Sequence, residues 1–152
     1  MKMTLKTKLF HTLLINLPMC FVMSLLALLL SPGGLTPMGL LINFLLSYVI
    51  CFIVGMLLPL VPLGMKLAQA CKQKPGSLGF SIIVSAVVNL FYVVINGLCL
   101  CTFNAVIMGG APIQVVPGAF LSTFLPLYAA GLVVVLLWNP TAMKLAHKLS
   151  KE

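Results

Sequence analysis

The chain alternates between four long apolar stretches and short segments that contain its charged residues. The apolar stretches cover about 9–30, 38–60, 78–107 and 118–138. An α-helix needs about 20 residues, at about 1.5 Å each, to cross a hydrocarbon layer of about 30 Å. Each stretch is long enough. The pattern therefore predicts an all-α integral membrane protein built as a bundle of four spans.

The distribution of positive charge predicts how these spans are oriented. The first and third connections, SPGGLTPMG and MGGAPIQVVPG, contain glycine and proline but no charge, which is typical of tight turns. The nine lysines occupy the two ends of the chain and the middle connection, at positions 2, 6, 8, 66, 72, 74, 144, 148 and 151. If the chain crosses the membrane four times, its two ends and its middle connection lie on the same side, so all nine lysines do as well. Because cytoplasmic segments are enriched in basic residues, both termini are predicted to be cytoplasmic.

A short phrase occurs twice and predicts an internal repeat. PLGMKLAQACK follows the second apolar stretch, and PTAMKLAHKLSK follows the fourth. Both open with proline, and Met-Lys-Leu-Ala follows at the same offset from Pro62 and from Pro140. We interpret residues 1–76 and 77–152 as two parallel helical-hairpin repeats, related by an axis along the membrane normal. Each repeat is predicted to end in a short basic interfacial helix.

The two basic segments are predicted to lie at the inner headgroup layer of the membrane. After Pro140 the lysines recur at spacings of four and three, which places them on one side of a helix. A lysine near anionic lipid contributes about 1 kcal/mol, and tryptophan is typical of the membrane interface. The predicted lipid anchors are Lys66, Lys72, Lys74, Lys144, Lys148, Lys151 and Trp138. The alternative is a docking site for a cytoplasmic partner.

The first repeat begins with N-L-P-M-C-F-V-M-S and ends with Pro-x-x-x-Lys, and this resembles an uncharacterised family of bacterial inner-membrane proteins built of a two-helix unit. The residues that carry the resemblance are Asn16, Pro18, Met19, Met23, Ser24, Pro62 and Lys66, with Asn89, Pro140 and Lys144 in the second repeat. In the second repeat Phe91 and Gly97 replace the family's proline and serine. The resemblance implies a bacterial cytoplasmic membrane and implies no activity.

Composition narrows the function classes. Apolar residues make up 62% of the chain and charged residues 7%, whereas a soluble domain has roughly a quarter charged residues. The net charge of +8 comes from lysines on one side of the membrane, a pattern that does not predict nucleic-acid binding. The single acid, Glu152, lies outside every span. Proton-coupled export of cationic drugs and triad catalysis both need an acid, so neither activity is expected, and no cofactor is expected.

Sulfur provides the remaining candidate chemistry for a metal. Met19, Cys20 and Met23, with Cys99 and Cys101, are soft ligands of the kind that Cu(I) prefers. Residues two apart on a helix point about 200° apart, so one helix does not offer both thiols of Cys99 and Cys101 to one ion. No metal site is therefore predicted. The cysteines and methionines are interpreted as adaptable packing residues.

Neutral polar residues inside the spans are the candidate functional side chains. Ser85, Asn89 and Asn96 recur at spacings of four and seven on the third span, and Asn16 lies in the first. An amide exposed to hydrocarbon without a partner costs several kcal/mol, so these residues are predicted to face protein or a wet cavity. They form either a substrate pocket or interhelical hydrogen bonds, which contribute about 0.6–2 kcal/mol each.

Two functions remain open from the sequence. The first is a small transporter or channel-like protein for a neutral, anionic or lipid-like substrate, with the binding site at Asn16, Ser85, Asn89 and Asn96. A bundle of four spans encloses little volume, so a homodimer is expected. The alternative is a non-transporting accessory subunit or adaptor that binds another membrane protein.

The predicted topology has a direct test. A reporter tag inserted after Gly34 or after Gly110 is expected to be exposed on the side opposite the cytoplasm, because both positions lie in uncharged connections. Accessibility of the tag to a membrane-impermeant reagent measures this. A tag that only reagents inside the cell reach contradicts the four-span orientation.

Overall fold

The computed structural model of the protein describes residues 5–31 and 34–150, and all regular secondary structure in these ranges is helical. Four of the helices are long and apolar enough to cross a membrane, which indicates a multi-pass membrane protein. In chain order the elements are α1 (Leu5–Leu29), α2 (Pro37–Leu57), α3 (Leu60–Ala70), α4 (Leu78–Thr102), a π-helical turn (Phe103–Met108), a 3₁₀ turn (Ile113–Val115) and α5 (Val116–Ser150).

Local sequence explains where α2 and α4 begin. Thr36 precedes α2, and its hydroxyl accepts a hydrogen bond of 3.1 Å from the Gly39 N–H. Pro37 occupies the first helical position, where its missing N–H has no intrahelical partner to lose. Ser77 caps α4 in the same way and accepts from the Phe80 N–H at 3.1 Å.

The predicted second span, 38–60, is interrupted by a break between α2 and α3. Leu58 has an extended backbone (φ −91°, ψ 133°), as expected for a residue that precedes proline. Pro59 has no N–H to donate to the Gly55 carbonyl, so the α2 helix cannot continue through it. The chain restarts as α3 at Leu60.

The second basic segment differs from the prediction that each repeat ends in a separate short helix. The first basic segment does form a separate short helix, α3, but α5 runs without interruption from Val116 to Ser150 and contains Pro140. The reason is packing, because α5 contacts α1 extensively and bonds to it immediately before the proline, through Trp138 and Asn139. Neighbouring helices can hold a proline-containing helix together in this way.

The helices pack as a ring. The helix α1 contacts α2 and α5, and α4 contacts α5 and α3. The ring is closed by α2 and α3 together, because α2 packs on α1 and the helix that follows it, α3, packs on α4. Successive spans alternate in direction, so Lys8, Lys66 and Lys144 share one end of the bundle, which we call the basic end.

Small residues allow the closest helix approaches. A Cβ at Gly64 of α3 would lie 3.1 Å from backbone atoms of Val84, so glycine is needed for α3 to pack on α4. A Cβ at Gly97 of α4 would lie 2.9 Å from the Phe120 ring of α5. Large apolar side chains instead cover the outside of the bundle, as Leu57, Leu121 and Leu137 do at more than 70% exposure. This surface suits a lipid environment.

A proline and a tryptophan together join α1 to α5. Pro18 lies inside α1 and lacks an N–H, so it gives no hydrogen bond to the Leu14 carbonyl four residues earlier. The Trp138 indole N–H donates to this carbonyl at 3.0 Å. The neighbouring Leu13 carbonyl accepts from the Tyr48 hydroxyl of α2 at 3.1 Å. Side chains of two other helices therefore satisfy backbone oxygens at the proline.

The pairing of Pro18 with Trp138 predicts a measurable coupling. We expect Trp138→Phe to lower the free energy of unfolding by about 1 kcal/mol, because the Leu14 carbonyl is left without a donor. In a Pro18→Ala background the backbone N–H of the introduced alanine replaces the indole, so the same Trp138→Phe change should cost much less. Unfolding of the four proteins in mixed micelles gives the double-mutant cycle. An equal cost in both backgrounds contradicts this account.

Candidate functional site

A cleft opens in the bundle where α2 ends and α3 begins. Its volume is about 520 Å³, within the range of about 300–1,000 Å³ that is typical of small-molecule sites. Residues of α1, α2, α3, α4 and α5 form its walls. On α1 it extends from Lys8 to Met19, eleven residues apart, which corresponds to a depth of about 16 Å at 1.5 Å per residue.

The α2–α3 break creates the cleft. Above the break α2 packs on α1, and below it α3 packs on α4, so neither helix fills the space between α1 and α4 at that level. Gly55 forms part of the wall, and a Cβ there would lie 2.5 Å from the Tyr92 Oη and 2.8 Å from the Thr12 methyl group. The glycine therefore leaves room for the tyrosine hydroxyl.

Three hydroxyl-bearing residues line the cleft. Thr12 of α1 and Ser85 and Tyr92 of α4 belong to its walls and are 5%, 4% and 6% exposed. Within residues 5–31 and 34–150, none of these hydroxyls has a hydrogen-bond partner. Buried polar groups are normally paired with protein or with ordered water. These three hydroxyl groups are therefore available to form hydrogen bonds with a molecule in the cleft.

Lys8 contributes a positive charge at the basic end of the cleft. It is partly buried, and its Nζ donates to the Met56 carbonyl at 3.2 Å. Met56 lies in the last turn of α2, where carbonyl groups have no intrahelical partner. The lysine therefore caps α2 with one of its three N–H groups and leaves two for other acceptors.

His11 of α1 and Asn139 of α5 form a second polar group in the walls of the cleft. The His11 Nε2 lies 2.9 Å from the Asn139 Oδ1 and links α1 to α5. An amide oxygen only accepts, so His11 donates from Nε2 and this nitrogen carries a proton. Asn139 also belongs to the wall, and the two N–H groups of its amide have no partner in the described part of the chain.

The structure places the four predicted substrate-binding residues in different environments. Ser85 lines the cleft. Asn89 donates to the Tyr128 carbonyl of α5 at 2.9 Å, and Asn96 donates to the Ser47 hydroxyl of α2 at 2.7 Å. Both asparagines are buried and bridge helices, and the Oδ1 atoms of both lack a partner among the described residues. Their role as substrate ligands stays a prediction.

Asn16 is the fourth predicted residue and has no exposed surface. Neither its Oδ1 nor its Nδ2 has a hydrogen-bond partner among the residues that the structure describes. Its neighbours in sequence, Ile15 and Met19, line the cleft, whereas Asn16 does not. An unpaired buried amide of this kind is a place for an ordered water.

A paired amide contact lies toward the end of the bundle opposite the lysines. Asn43 of α2 and Asn104 of the π-helical turn each donate from Nδ2 to the other's Oδ1, at 3.0 and 2.9 Å. Asn43 also donates to the Gly39 carbonyl at 2.9 Å. The reciprocal bonds hold α2 against the chain after α4. The cleft is therefore a feature of the basic half of the bundle.

The predicted lipid anchors lie at the surface. Lys66, Lys72, Lys74, Lys144 and Lys148 are exposed, and Lys151 lies outside the described residues. Trp138 is 36% exposed and donates to the Leu14 carbonyl, so it has a structural role in addition to the predicted interfacial one. Binding of these side chains to lipid stays a prediction.

The cysteines that were considered as Cu(I) ligands lie in different environments. Cys99 is exposed, and the Cys101 Sγ lies 3.8 Å from the Thr123 Oγ1. Cys20 of α1 and Cys51 of α2 are buried in the hydrophobic core of the bundle. Across residues 5–31 and 34–150, no three His, Cys, Asp or Glu side chains come together in a way that would hold a metal ion.

Most of the residues that line the cleft were not predicted from the sequence. Lys8, Thr12, Gly55, Tyr92 and Asn139 line it, and none was predicted as a binding residue. One available signal was Pro59, which interrupts an apolar stretch and so marks a helix break. The second was Lys8, which lies closer to the first span than any other N-terminal lysine.

Comparisons with protein-family models, with curated proteins and with solved structures each gave no match. The resemblance to a two-helix inner-membrane family therefore stays a prediction. Function has to be argued from the geometry of the cleft.

The Asn96–Ser47 bond predicts a stability effect at a site outside the cleft. We expect Asn96→Leu and Ser47→Ala each to lower the free energy of unfolding by about 1 kcal/mol, because each removes a buried interhelical hydrogen bond. The double variant should lose less than the two single losses added together. Unfolding in mixed micelles measures all four proteins, with the exposed Ser81→Ala as a control. Unchanged stability in both single variants contradicts a bridging role.

Proposed function

We propose that the protein is a small multi-pass membrane transporter whose substrate occupies the cleft at the α2–α3 break. The observation that carries this proposal is the cleft itself, whose apolar walls include one lysine and three hydroxyl-bearing residues whose hydroxyls have no partner among the described residues. Apolar walls with a few polar groups are typical of ligand sites. In membrane transporters, substrate sites commonly form where a membrane helix is interrupted.

The proposed substrate is neutral, anionic or lipid-like. No acidic residue occurs in residues 1–151, so no side chain there carries a negative charge to attract a cationic substrate. The lysine favours an anion, and the apolar walls favour a hydrocarbon part. We propose no enzymatic activity and no cofactor.

The proposed arrangement in the membrane places the basic end in the bacterial cytoplasm. Supporting this orientation, Lys66, Lys72, Lys144 and Lys148 are all exposed, and positive charge favours the cytoplasmic side. The cleft then faces the inner leaflet.

The proposed duplication of a helical hairpin is supported by burial at equivalent positions. Asn16 of α1 and Asn89 of α4 are both fully buried. After the repeated prolines, Ala68 of α3 and Ala146 of α5 are also both fully buried, at the same offset. The two basic segments thus present corresponding small residues to the bundle.

The second candidate is an accessory subunit that binds another membrane protein. The exposed lysine-bearing surface of α3 is the feature that favours it, since Lys66, Met65 and Leu67 all lie at the surface. A homodimer is proposed for either function. A specific partner would then contact a surface of the bundle and leave the cleft unaffected.

Native mass spectrometry of the protein released from membranes tests the proposal. We expect a small molecule to remain bound to the wild type and to be released into solution by Gly55→Ala, because the new methyl group displaces the Tyr92 hydroxyl into the cleft. Val88→Phe places a larger side chain of α4 in the same cleft, so it should also release the bound molecule. The matched control is Gly118→Ala, where an added Cβ meets nothing within 4 Å.

The same measurement separates the two candidates and reports the subunit number. A retained molecule that depends on Gly55 and Val88, and that crosses the bilayer when the protein is reconstituted in vesicles, supports transport. A stoichiometric protein partner, together with equal ligand occupancy in wild type and cleft variants, contradicts it and favours the accessory subunit.

A further inference from the structure

The lysine and the amide that line the cleft lie at one end of it, whereas the hydroxyl-bearing residues Thr12, Ser85 and Tyr92 line the rest together with apolar side chains. Lys8 and Asn139 lie at its basic end, whereas Ile15 and Met19 continue the α1 wall toward the middle of the bundle. We propose that the cleft binds a single-chain amphiphile with an anionic head group, such as a medium-chain carboxylate. The head group contacts Lys8, and the hydrocarbon chain extends toward Met19 and Tyr92. This inference rests on the proposed function, because it names the substrate class of the same cleft.

The head-group end of the cleft is rich in donors. Lys8 uses one N–H for the Met56 carbonyl, so two remain. Asn139 accepts from His11 through Oδ1, and its amide N–H groups have no partner in the described chain. A site with several donors and no carboxylate is complementary to a carboxylate or phosphate oxygen.

Among the residues that the structure describes, no carboxylate neutralises the charge of Lys8. No acidic side chain occurs before Glu152, which lies outside the described residues, so no carboxylate is present along the walls. Attraction between opposite charges strengthens as the surroundings become less polar, and this lysine is partly buried beside apolar walls. A bound anion would complete the pair, whereas a cation would be repelled.

The remaining length of the cleft fits a hydrocarbon chain. Ile15, Val84, Val88 and Val135 provide apolar walls between the head-group end and Met19. The whole depth of about 16 Å along α1, with the head group included, corresponds to an amphiphile of roughly ten to twelve carbons in a zigzag of bonds of about 1.5 Å. Burying such a chain is favourable by about 0.8 kcal/mol for each CH₂ relative to water.

The cleft is open toward the surroundings of the bundle. Leu58, Val61 and Met65 belong to its rim, and they are 38%, 41% and 38% exposed. All three side chains are apolar and belong to the α2–α3 break or to α3. A hydrocarbon chain that enters past this rim first meets apolar side chains, which is consistent with entry from the lipid layer.

Binding of three ligands with the same chain and different head groups tests the inference. The purified protein is placed in nanodiscs of zwitterionic lipid, and binding of radiolabelled dodecanoate is measured by scintillation proximity. Unlabelled dodecanoate, dodecanol and dodecyltrimethylammonium compete in separate titrations. We expect dodecanoate to bind about tenfold more tightly than dodecanol, and the ammonium compound to compete least. Equal competition by all three overturns the proposal.

Variants at Lys8 locate the head group. Lys8→Gln removes the charge and keeps a donor for the Met56 carbonyl, and we expect about a tenfold loss of dodecanoate affinity with unchanged dodecanol affinity. Lys8→Arg keeps the charge and should retain binding. Lys6→Gln is the matched control, because Lys6 is exposed on the same helix and does not line the cleft. Equal losses in Lys6→Gln and Lys8→Gln, or no loss in Lys8→Gln, contradict the assignment.

Failure of this inference can be distinguished from failure of the proposed function. If Gly55→Ala releases the molecule that co-purifies with the wild type but dodecanoate shows no head-group preference, the cleft binds a different class and only this inference is wrong. If neither dodecanoate nor a co-purifying molecule depends on Gly55, both are wrong. Thermal unfolding of every variant in the same nanodiscs verifies that each is folded.

Discussion

The structure depends on satisfying backbone carbonyls that prolines and helix ends leave unpaired in an apolar environment. Within a membrane there is no water to donate to these oxygens, so another part of the protein must do so. At Pro18 the indole of Trp138 donates to Leu14. Near the break before Pro59, the Lys8 ammonium donates to Met56 at the end of α2. These two contacts tie α1 to α5 and to α2, and they position the walls of the cleft.

The architecture was largely predictable from the sequence, whereas the interruptions were predictable only in part. The four apolar stretches specified four long helices because their length and hydropathy dominate any local preference. Pro59 and Pro140 show the limit. Both remove a backbone donor, yet α2 ends before the first and α5 continues through the second. The difference depends on contacts between helices, which a single sequence does not reveal.

The candidate site was predicted less well, because polarity alone does not say which polar residues pair. The stripe on α4 was predicted to face the interior and does, but Asn89 and Asn96 donate their amide protons to α5 and α2. Ser85, on the same stripe, lines the cleft. A cavity forms from the relative positions of several helices, so residues such as Gly55 and Tyr92 acquire their roles only through the break in α2.

The position of the tryptophan has a practical consequence. The chain contains one tryptophan, and it precedes Asn139 in the wall of the cleft. Its indole is hydrogen-bonded to α1 and only partly exposed, so its emission spectrum depends on the contact between α1 and α5. Separation of these helices would let water reach the ring and shift the emission to longer wavelength. The unlabelled protein therefore carries its own optical reporter of movement at this contact.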